Sequence, residues 1–332
     1  MSKPSNVHPE VALFSGGKTP PSITVCDHYA GSEKLIQKSL TMQAERGPLF
    51  DITCDLEDGA QVGNEKQRRE MALTFICSTE NRFNLVGLRV NDFRNDAWRT
   101  DMQEALRLAG DRLAHLTIPK VERVSELKVM LAYLEDCHRR LSMKRRIPVH
   151  VLIETHGAVR EAWEIASLPE IRGLDFGLMD FVSEHQGVIS STAMYSPGQF
   201  EHALVIRAKT ELAAAACAHG KIAAHNVTPQ FKDVSQTKQD ALIARRRFGF
   251  SRMWSIHPSQ IDAILEGMRP DQDEVTLAGE ILLSAAKAEW APISHREKLH
   301  DRASYRYYWN VLTQAKQAGM ILDPAVLQAF FA

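Results

Sequence analysis

Eight short apolar segments alternate along the chain with longer stretches of helical periodicity, and this alternation restricts the fold more than any other feature. The segments are rich in valine, isoleucine and leucine and occupy residues 22–26, 49–57, 84–90, 115–120, 148–154, 173–180, 221–227 and 253–258. Several of them are apolar at consecutive positions rather than at alternate ones. That pattern is typical of parallel strands that are covered on both faces.

The stretches between these segments predict amphipathic helices. In sequences such as GAVREAWEIASLPE the apolar residues recur at intervals of three and four. Eight strand–helix units before residue 269 predict the α/β class and, within it, a (β/α)8 TIM barrel. An open, doubly wound sheet would give a similar pattern, and the count of units is what favours the barrel.

The chain changes character near residue 268. A turn-rich linker, MRPDQDE, is followed by helical segments at residues 274–290 and 305–319, with the polar loop APISHREKLHDRAS between them. We therefore predict two domains, a barrel over residues 1–268 and a C-terminal helical extension over residues 269–332. The aromatic run YRYYW has a spacing that indicates helix packing or a subunit contact.

Charge and cysteine content disfavour several classes of partner. Forty basic and forty-one acidic residues give a formal charge of −1, with no long block of either sign, so nucleic acid is not an expected partner. Five scattered cysteines without C-x-x-C spacing indicate reduced thiols and a cytoplasmic protein. The sequence shows no signal-like start and no apolar run of about 18 residues, so no membrane association is expected.

Charged residues stand at the carboxyl ends of the predicted strands, where the loops of a barrel converge and catalytic groups lie. The acids are Glu57, Asp58, Glu154 and Asp180, and the bases are Arg89 and Lys120. Asp55, Glu57 and Asp58 alone place three carboxylates within four positions. Because like charges repel, a cation or an arginine has to lie opposite them.

A hard divalent cation would offset this repulsion. Magnesium prefers oxygen ligands, typically one or two carboxylates, and keeps several waters. Glu154 and Asp180 form the best pair for it. No cysteine follows either segment and His156 is the one imidazole beside Glu154, so softer metals have less support. We predict Mg²⁺, with Mn²⁺ as the second choice.

Some of the polar residues at the strand ends also have a structural interpretation. Asp58 could cap the turn or helix that follows it, and His257 in SIHPSQI is expected to fix a turn through a backbone hydrogen bond. Glu154 is harder to explain in this way because Thr155 is already the better helix cap. Arg89 lies within an apolar strand, so a carboxylate of the protein or of a ligand must face its buried charge.

Six motifs taken together resemble a known family. In order they are DLEDG with NEKQRREMA behind it, LRVND, IPKVE, LIETHGAV, GLDFGLMD and SIHPSQI, between residues 50 and 265. They resemble the citrate lyase beta-subunit and malyl-CoA lyase family of the HpcH/HpaI aldolase/citrate lyase superfamily. The resemblance implies a trimeric or hexameric barrel enzyme that uses magnesium to cleave or form a carbon–carbon bond between an acyl-CoA enolate and a 2-oxo acid.

The same resemblance implies residue roles. Glu154 and Asp180 correspond to the metal ligands, with Glu154 also near the substrate, and Arg89 to the residue that holds a substrate carboxylate or oxyanion. Glu57 corresponds to an acid that positions metal-bound water or the arginine. Asp301, in HDRASYRYYWNVL, corresponds to an aspartate that enters the active site of a neighbouring subunit and is a candidate acid/base for a step that stays open.

Three departures from the family pattern keep other functions open. SITVCDHYAGSEK stands where an RSxLFxPG-like strand contributes to coenzyme A binding, Arg252 and Met253 replace a usual glycine–lysine pair, and Ala303 replaces a common proline. One alternative is therefore a metal-dependent pyruvate-type aldolase that does not use coenzyme A. The other is a barrel without activity that serves as an assembly partner.

Overall fold

Eight parallel strands close into a barrel in the computed structural model, which describes residues 7–14, 23–58 and 63–331. The strands are β1 (Cys26–Ala30), β2 (Asp51–Asp55), β3 (Val86–Arg89), β4 (Leu113–Ile118), β5 (Val149–Ile153), β6 (Ile171–Phe176), β7 (Ile222–His225) and β8 (Arg252–Ser255). Each strand pairs with the next, and β8 pairs with β1. The predicted (β/α)8 class is confirmed.

Helices follow the strands, as the periodicity predicts. One helix, α1 (Pro9–Phe14), precedes β1, and the barrel unit contains α2 (Glu33–Arg46), α3 (Glu65–Cys77), α4 (Ala97–Ala109), α5 (Val124–Arg140), α6 (His156–Ser167), α7 (Leu178–Ser183), α8 (Ala203–Ala218), α9 (Val234–Phe248) and α10 (Ile261–Met268). Short 3-10 turns lie at Ser191–Met194, Gly198–Phe200 and Pro258–Gln260. Among the described residues, no helix has the length and apolar character needed to cross a bilayer.

The hydrophobic core lies between the strands and the helices, and the barrel lumen is polar. In β2, Ile52 and Cys54 belong to the apolar cluster under the helices, whereas the alternate residues Asp51, Thr53 and Asp55 bond to polar partners inside the barrel. This follows from the two-residue alternation of a strand. Because of the same alternation, acidic residues of successive strands face the barrel lumen.

A buried arginine near the amino-terminal ends of the strands, here called the lower level of the lumen, explains why β1 lies later in the chain than the predicted strand. The apolar run at 22–26 predicts a strand, but the strand is Cys26–Ala30. Arg252 lies 2.8 Å from Asp27 and 2.6 Å from Asp51, and all three side chains are almost completely buried. Because these ionic partners come from distant parts of the chain, the polar run CDHYA forms a strand that its composition does not predict.

Strand β6 is shorter than predicted at its carboxyl end. The apolar run 173–180 predicts a single strand, but β6 ends at Phe176 and helix α7 begins at Leu178. The apolar residues after Gly177 pack as a short helix, in which Phe181 is 1% exposed. Asp180 therefore lies in the first turn of α7 and not at a strand end.

A second compact unit combines the N-terminal segment with residues from Arg269 onward, whereas the barrel unit spans Ile23–Met268. It contains α1, α11 (Gln272–Lys287), the hairpin strands β9 (Ile293–His295) and β10 (Lys298–His300), α12 (Arg302–Gln317) and α13 (Pro324–Phe330). Tyr305 and Trp309 are buried in its apolar cluster, as the helix-packing interpretation of YRYYW predicts. The sequence places α1 in the barrel domain, but its contacts group it with the C-terminal helices.

Two elements of this unit differ from the sequence expectation. The polar loop between α11 and α12 is a β-hairpin, whose two turn residues, Arg296 and Glu297, have φ of 48° and 62°. Two positive φ values are typical of the tight turn that joins antiparallel strands. Helix α13 was not predicted, although Asp323 caps it by accepting from the Ala325 N–H at 2.7 Å.

Candidate active site

Arg89, the last residue of β3, is held by two carboxylates at the mouth of the barrel. Asp55 ends the neighbouring strand and pairs in register with Arg89. The Asp55 oxygens accept hydrogen bonds from Nε at 2.7 Å and from Nη2 at 2.5 Å, and Oε2 of Glu57 lies 3.3 Å from Nη1. Burial opposes the charged form, but Asp55 raises the pKa of Arg89, so the guanidinium stays cationic.

Lys120 contacts three carboxylates, two through its side chain and one through its backbone. Its ammonium bonds to Glu57 and lies 2.7 Å from Oδ2 of Asp58. Its backbone N–H donates to Oε1 of Glu154 at 2.6 Å. Lys120 adopts φ of 48°, a conformation that residues other than glycine seldom adopt and that is common at functional sites.

Asp58 does not cap the next helix. Helix α3 begins only at Glu65, after Asn64, and the Asp58 carboxylate binds Lys120 instead. Asp58 is therefore not the cap of α3, and the base at the end of β4 approaches it in the folded chain. A cap of the turn directly after Asp58 would fall on residues 59–62, which lie outside the described residues. This also answers the repulsion in DLED: Arg89 and Lys120 lie opposite the acids.

Glu154 directly follows β5 and is only 2% exposed. Burial, followed by the like charge of Asp180, raises the pKa of Glu154 to about 8, while Arg89 acts in the opposite direction. Gly177 is needed for this placement, since a Cβ there would lie 2.3 Å from Oε2 of Glu154. Thr155 caps α6, as predicted, so Glu154 has no capping role.

The Asp180 carboxylate lies at the same mouth of the barrel as Glu154. Strands β5 and β6 are parallel neighbours, and Glu154 and Asp180 follow their carboxyl ends. Burial raises the pKa of the Asp180 carboxyl; Asp58 adds to this effect, whereas Lys120 and Arg89 oppose it. The two carboxylates predicted to bind metal therefore interact, and each has a raised pKa.

These residues fit a hard divalent cation, which would offset the repulsion between the buried Glu154 carboxylate and the half-buried Asp180 carboxylate. Within residues 7–14, 23–58 and 63–331, no three side chains of His, Cys, Asp or Glu are grouped so that they alone could hold a metal ion. Two carboxylates suit magnesium, which keeps several waters and takes further oxygen ligands from its substrate. With one oxygen from each carboxylate, the protein would fill two of the six positions that magnesium prefers.

The sequence does not predict some of the contacts near the site. His156 and His185 meet through their Nε2 atoms at 2.8 Å, and Glu184 accepts a hydrogen bond from the His156 N–H at 2.9 Å. The sequence gives no reason to pair these histidines, because α7 is not predicted. Gly177 did carry a signal, since it is a glycine directly after a buried run.

Two other predicted residues have local structural roles. His257 accepts a hydrogen bond from the Ser259 N–H at 3.2 Å, which confirms the predicted turn contact. Asp301 belongs to the second unit and caps α12, where Oδ1 accepts from the N–H groups of Ala303 at 2.9 Å and Ser304 at 3.4 Å. Its predicted part in catalysis stays a prediction.

A parallel barrel that collects acids and bases at the carboxyl ends of its strands has the general form of a barrel enzyme. The particular family follows from comparison with known sequences. The model of the HpcH/HpaI aldolase/citrate lyase family matches residues 33–258, and the chain belongs to this family.

Several known proteins are similar over most of their length. A crystal structure of a citrate lyase from Burkholderia xenovorans LB400 is 47% identical with a TM-score of 0.87, covering 98% of this chain and 100% of that one. The L-malyl-CoA/beta-methylmalyl-CoA lyase of Cereibacter sphaeroides is 28% identical over 280 residues, 80% of this chain and 87% of its own. A (3S)-malyl-CoA thioesterase of the same species is 26% identical over 256 residues, 76% and 81% of the two chains.

A more distant structure shares the fold. The CitE protein of Mycobacterium tuberculosis, crystallised with magnesium, acetoacetate and coenzyme A, is 19% identical with a TM-score of 0.68, covering 90% of this chain and 99% of that one. The predicted family is confirmed, and so is the enzyme class, a carbon–carbon lyase, at the level of the family. The individual roles of Arg89, Glu57, Glu154, Asp180 and Asp301 stay predictions.

Proposed function

We propose that the protein is a Mg²⁺-dependent carbon–carbon lyase that splits a 3-hydroxyacyl-CoA of the citryl-CoA or malyl-CoA type into an acyl-CoA and a 2-oxo acid, or joins them. The observation that carries this proposal is the pair formed by the buried Glu154 and the half-buried Asp180, in which burial and then the like charge of Asp180 raise the pKa of Glu154 beside the cationic Arg89. The names of the malyl-CoA lyase and malyl-CoA thioesterase relatives support the choice of a CoA-ester substrate.

Glu154 and Asp180 would hold the ion, and Mn²⁺ is expected to substitute for Mg²⁺ because both accept oxygen ligands. When bound, the ion supplies Lewis-acid polarisation of the keto oxygen and fixes the 2-oxo acid in place. Gly177 keeps the Glu154 carboxylate in its position, since any larger residue would displace Oε2. The Lys120 N–H orients the other oxygen of the same carboxylate.

Arg89 would stabilise the negative charge that develops as the carbon–carbon bond breaks. Asp55 binds Nε and Nη2 together, so the guanidinium plane is fixed before the substrate arrives. Donors that need no reorganisation are the most effective stabilisers of developing charge. Glu57 joins Arg89 to Lys120 and thereby keeps both cations at the mouth. Asp55 is in this view structural.

Cleavage also needs proton transfer. A base takes the proton of the 3-hydroxyl group, and an acid returns a proton to the α-carbon of the thioester enolate. We assign one of these steps to Asp301, supplied by a neighbouring subunit of a trimer or hexamer. Both of its capping bonds use Oδ1, so Oδ2 can exchange a proton while the cap stays in place.

The direct test is a condensation assay. The protein is incubated with Mg²⁺, acetyl-CoA or propionyl-CoA, and glyoxylate, oxaloacetate or pyruvate, and the new hydroxyacyl-CoA is identified by mass spectrometry. The proposal predicts a Mg²⁺-dependent adduct with at least one pair, which EDTA abolishes and Mn²⁺ restores. Formation of no adduct in the whole panel, in either direction, would contradict it.

Thioester hydrolysis is the second candidate, because one relative is named a malyl-CoA thioesterase. The same assay separates the two activities when free thiol is measured beside the adduct. Release of free coenzyme A from a hydroxyacyl-CoA without release of a 2-oxo acid indicates hydrolysis. Aldol addition of pyruvate to an aldehyde in the absence of coenzyme A would instead support the pyruvate-type aldolase.

The shared active site has its own test. If Asp301 acts in a neighbouring subunit, Glu154→Gln and Asp301→Asn homo-oligomers are each inactive, but mixed oligomers contain some complete sites. Co-refolding the two variants should restore part of the activity, up to about a quarter of wild type for random pairing of two required halves. Activity that stays absent, in oligomers shown by mass spectrometry to be mixed, contradicts the exchange.

A further inference from the structure

A cavity of about 550 Å³ lies at the end of the barrel opposite the candidate active site. Its lining comes from the residues that enter β5, β6 and β7 and from the facing side of α5. Glu154 follows the other end of β5, so the cavity and the acid cluster occupy opposite ends of the same strand. A volume of this size suits a small organic molecule.

Much of the cavity wall is apolar. Leu131 and Leu134 of α5 and Ile147, which precedes β5, are all nearly buried and line it together with Pro148 and Pro169. Such a wall gains free energy when a hydrocarbon chain displaces water from it. Inorganic phosphate has no hydrocarbon part, so it would leave the apolar wall of the cavity in contact with water.

The basic groups of the lining differ in how their charges are satisfied. Arg146 lies 2.7 Å from Glu135, and the Lys221 ammonium donates to the carbonyl oxygens of Leu168 at 3.0 Å and Ile171 at 2.6 Å. His138 accepts a hydrogen bond from the Ile147 N–H, and burial lowers its pKa, so it is neutral.

Arg172, the second residue of β6, is different. Its side chain is half-buried, and burial lowers the pKa of its guanidinium. In the described part of the chain no carboxylate offsets that cost. A partly desolvated guanidinium without an acidic partner gains most from an anion that brings its own carboxylate, since the two planar groups can form paired hydrogen bonds.

We propose that this cavity binds an organic monocarboxylate whose carboxylate pairs with Arg172 and whose short hydrocarbon chain lies along the Leu131–Leu134 wall. Three bases and two acids line the cavity, so one positive charge is in excess, and a single carboxylate balances it. The single excess positive charge of the lining would balance only half of the charge of a doubly charged phosphate. The site is separate from the mouth and does not depend on the proposed lyase activity.

Calorimetric titration of the metal-free protein with hexanoate tests this proposal, with 1-hexanol and hexylamine as probes that have the same chain but no carboxylate. The variant Arg172→Met removes the charge and keeps the length of the side chain. Arg99→Met, at an exposed arginine of α4 that pairs with Asp96, is the matched control. Glu154→Gln reports on binding at the mouth, and thermal melts show whether each variant is folded.

The proposal predicts saturable hexanoate binding that is at least about tenfold weaker in Arg172→Met, the loss expected for a charge-assisted hydrogen-bonded pair. Binding should be unchanged in Arg99→Met and Glu154→Gln, and neither neutral hexanol nor hexylamine should compete. Hexanoate binding that survives in a folded Arg172→Met protein overturns the proposal. So does absent binding in the wild type, equal binding of hexanol, or loss of binding in Glu154→Gln.

Discussion

The barrel lumen buries arginine between carboxylates at two levels, and the two levels differ in charge balance. Below, Arg252 is shared by Asp27 and Asp51 and all three are sealed from solvent. Although burial opposes ionisation, Arg252 lowers the pKa of Asp27 to about 2, while burial raises the pKa of Asp51. The lower level thus approaches neutrality by itself.

The mouth does not reach neutrality by itself. Its acids are Asp55, Glu57, Asp58, Glu154 and Asp180, and its bases are Arg89 and Lys120. The bases engage the acids of the β2 end, and Glu154 is left with a raised pKa beside Asp180. The lower level therefore satisfies its buried charges within the protein, whereas the excess of acid at the mouth is suited to an added cation.

The largest effect is expected when the mouth loses a metal ligand. Glu154→Gln should lower kcat by about 10³-fold or more, because ligand loss removes the polarisation that the ion provides. In EDTA the thermal midpoint should be unchanged below about pH 8, where Glu154 is protonated, and should rise above it, where the variant lacks a repelling charge. The condensation assay and a thermal melt measure both. Glu45→Gln, an exposed glutamate of α2, is the control and should leave both unchanged.

A substitution in the lower level should reduce the stability of the protein and leave its magnesium affinity unchanged. Arg252→Met leaves Asp27 and Asp51 buried without a cation, so we expect the free energy of unfolding to fall by about 3–5 kcal/mol. Urea denaturation measures this change. Magnesium affinity of the folded fraction should not change. The control Arg99→Met changes an exposed residue and should alter the free energy of unfolding by no more than about 0.5 kcal/mol. If Arg252→Met lowers the free energy of unfolding no more than this control does, the lower level does not stabilise the barrel.

The pH dependence of the metal-free protein sharpens the comparison. The folded-state pKa of Glu154 is about 8, above its ordinary 4.5. Its contribution to stability is therefore fully present below about pH 4.5 and is lost as the pH rises through 8. We expect a loss of at least about 1 kcal/mol, or about 2 °C in Tm, between pH 5 and 9 in EDTA.

Magnesium should reverse that loss, because it binds the ionised carboxylate of the native state. Glu154→Gln lacks the titrating group and should show a flatter profile in EDTA. Thermal melts across the pH range, with and without Mg²⁺, provide the measurement. Parallel profiles for wild type and variant would show that Glu154 does not titrate as stated.

The smallest effect is expected at the rim of the mouth. Asp58 pairs with Lys120, but its side chain is 54% exposed. Asp58→Asn should therefore change the free energy of unfolding by less than about 1 kcal/mol. Urea denaturation checks this value, and a magnesium titration should show only a small change in affinity. A large loss would mean that Asp58 belongs to the metal site itself.

The sequence predicts the barrel because its signal is local. Each apolar run and each amphipathic helix can be read from neighbouring residues, and the parallel arrangement then brings the ends of β2 to β6 to one mouth. Arg89 and Glu154 could be placed there for that reason. The closing of the strands and the family are confirmed, whereas the residue roles still depend on experiment.

The misplaced elements depend on distant contacts. Strand β1 contains Asp27, whose buried charge is balanced by Arg252 from the last strand, while Thr53 of β2 donates a hydrogen bond to it. For Asp58 the sequence leaves a cap and a place among the site acids both open, because the approach of Lys120 cannot be read from neighbouring residues. Asp180 was placed at a strand end because the run GLDFGLMD is apolar on both sides of Gly177. Its helical geometry appears only in the packed structure.

Calorimetric titration with MgCl₂ tests the central claim most directly, namely that Glu154 and Asp180 share one divalent ion. Wild type, Glu154→Gln, Asp180→Asn and the control Glu45→Gln are compared at pH 8 in the presence of oxaloacetate. One Mg²⁺ per chain should bind to wild type and control, and binding should be lost in both site variants. Magnesium binding of unchanged affinity in a folded Glu154→Gln or Asp180→Asn protein would contradict the account.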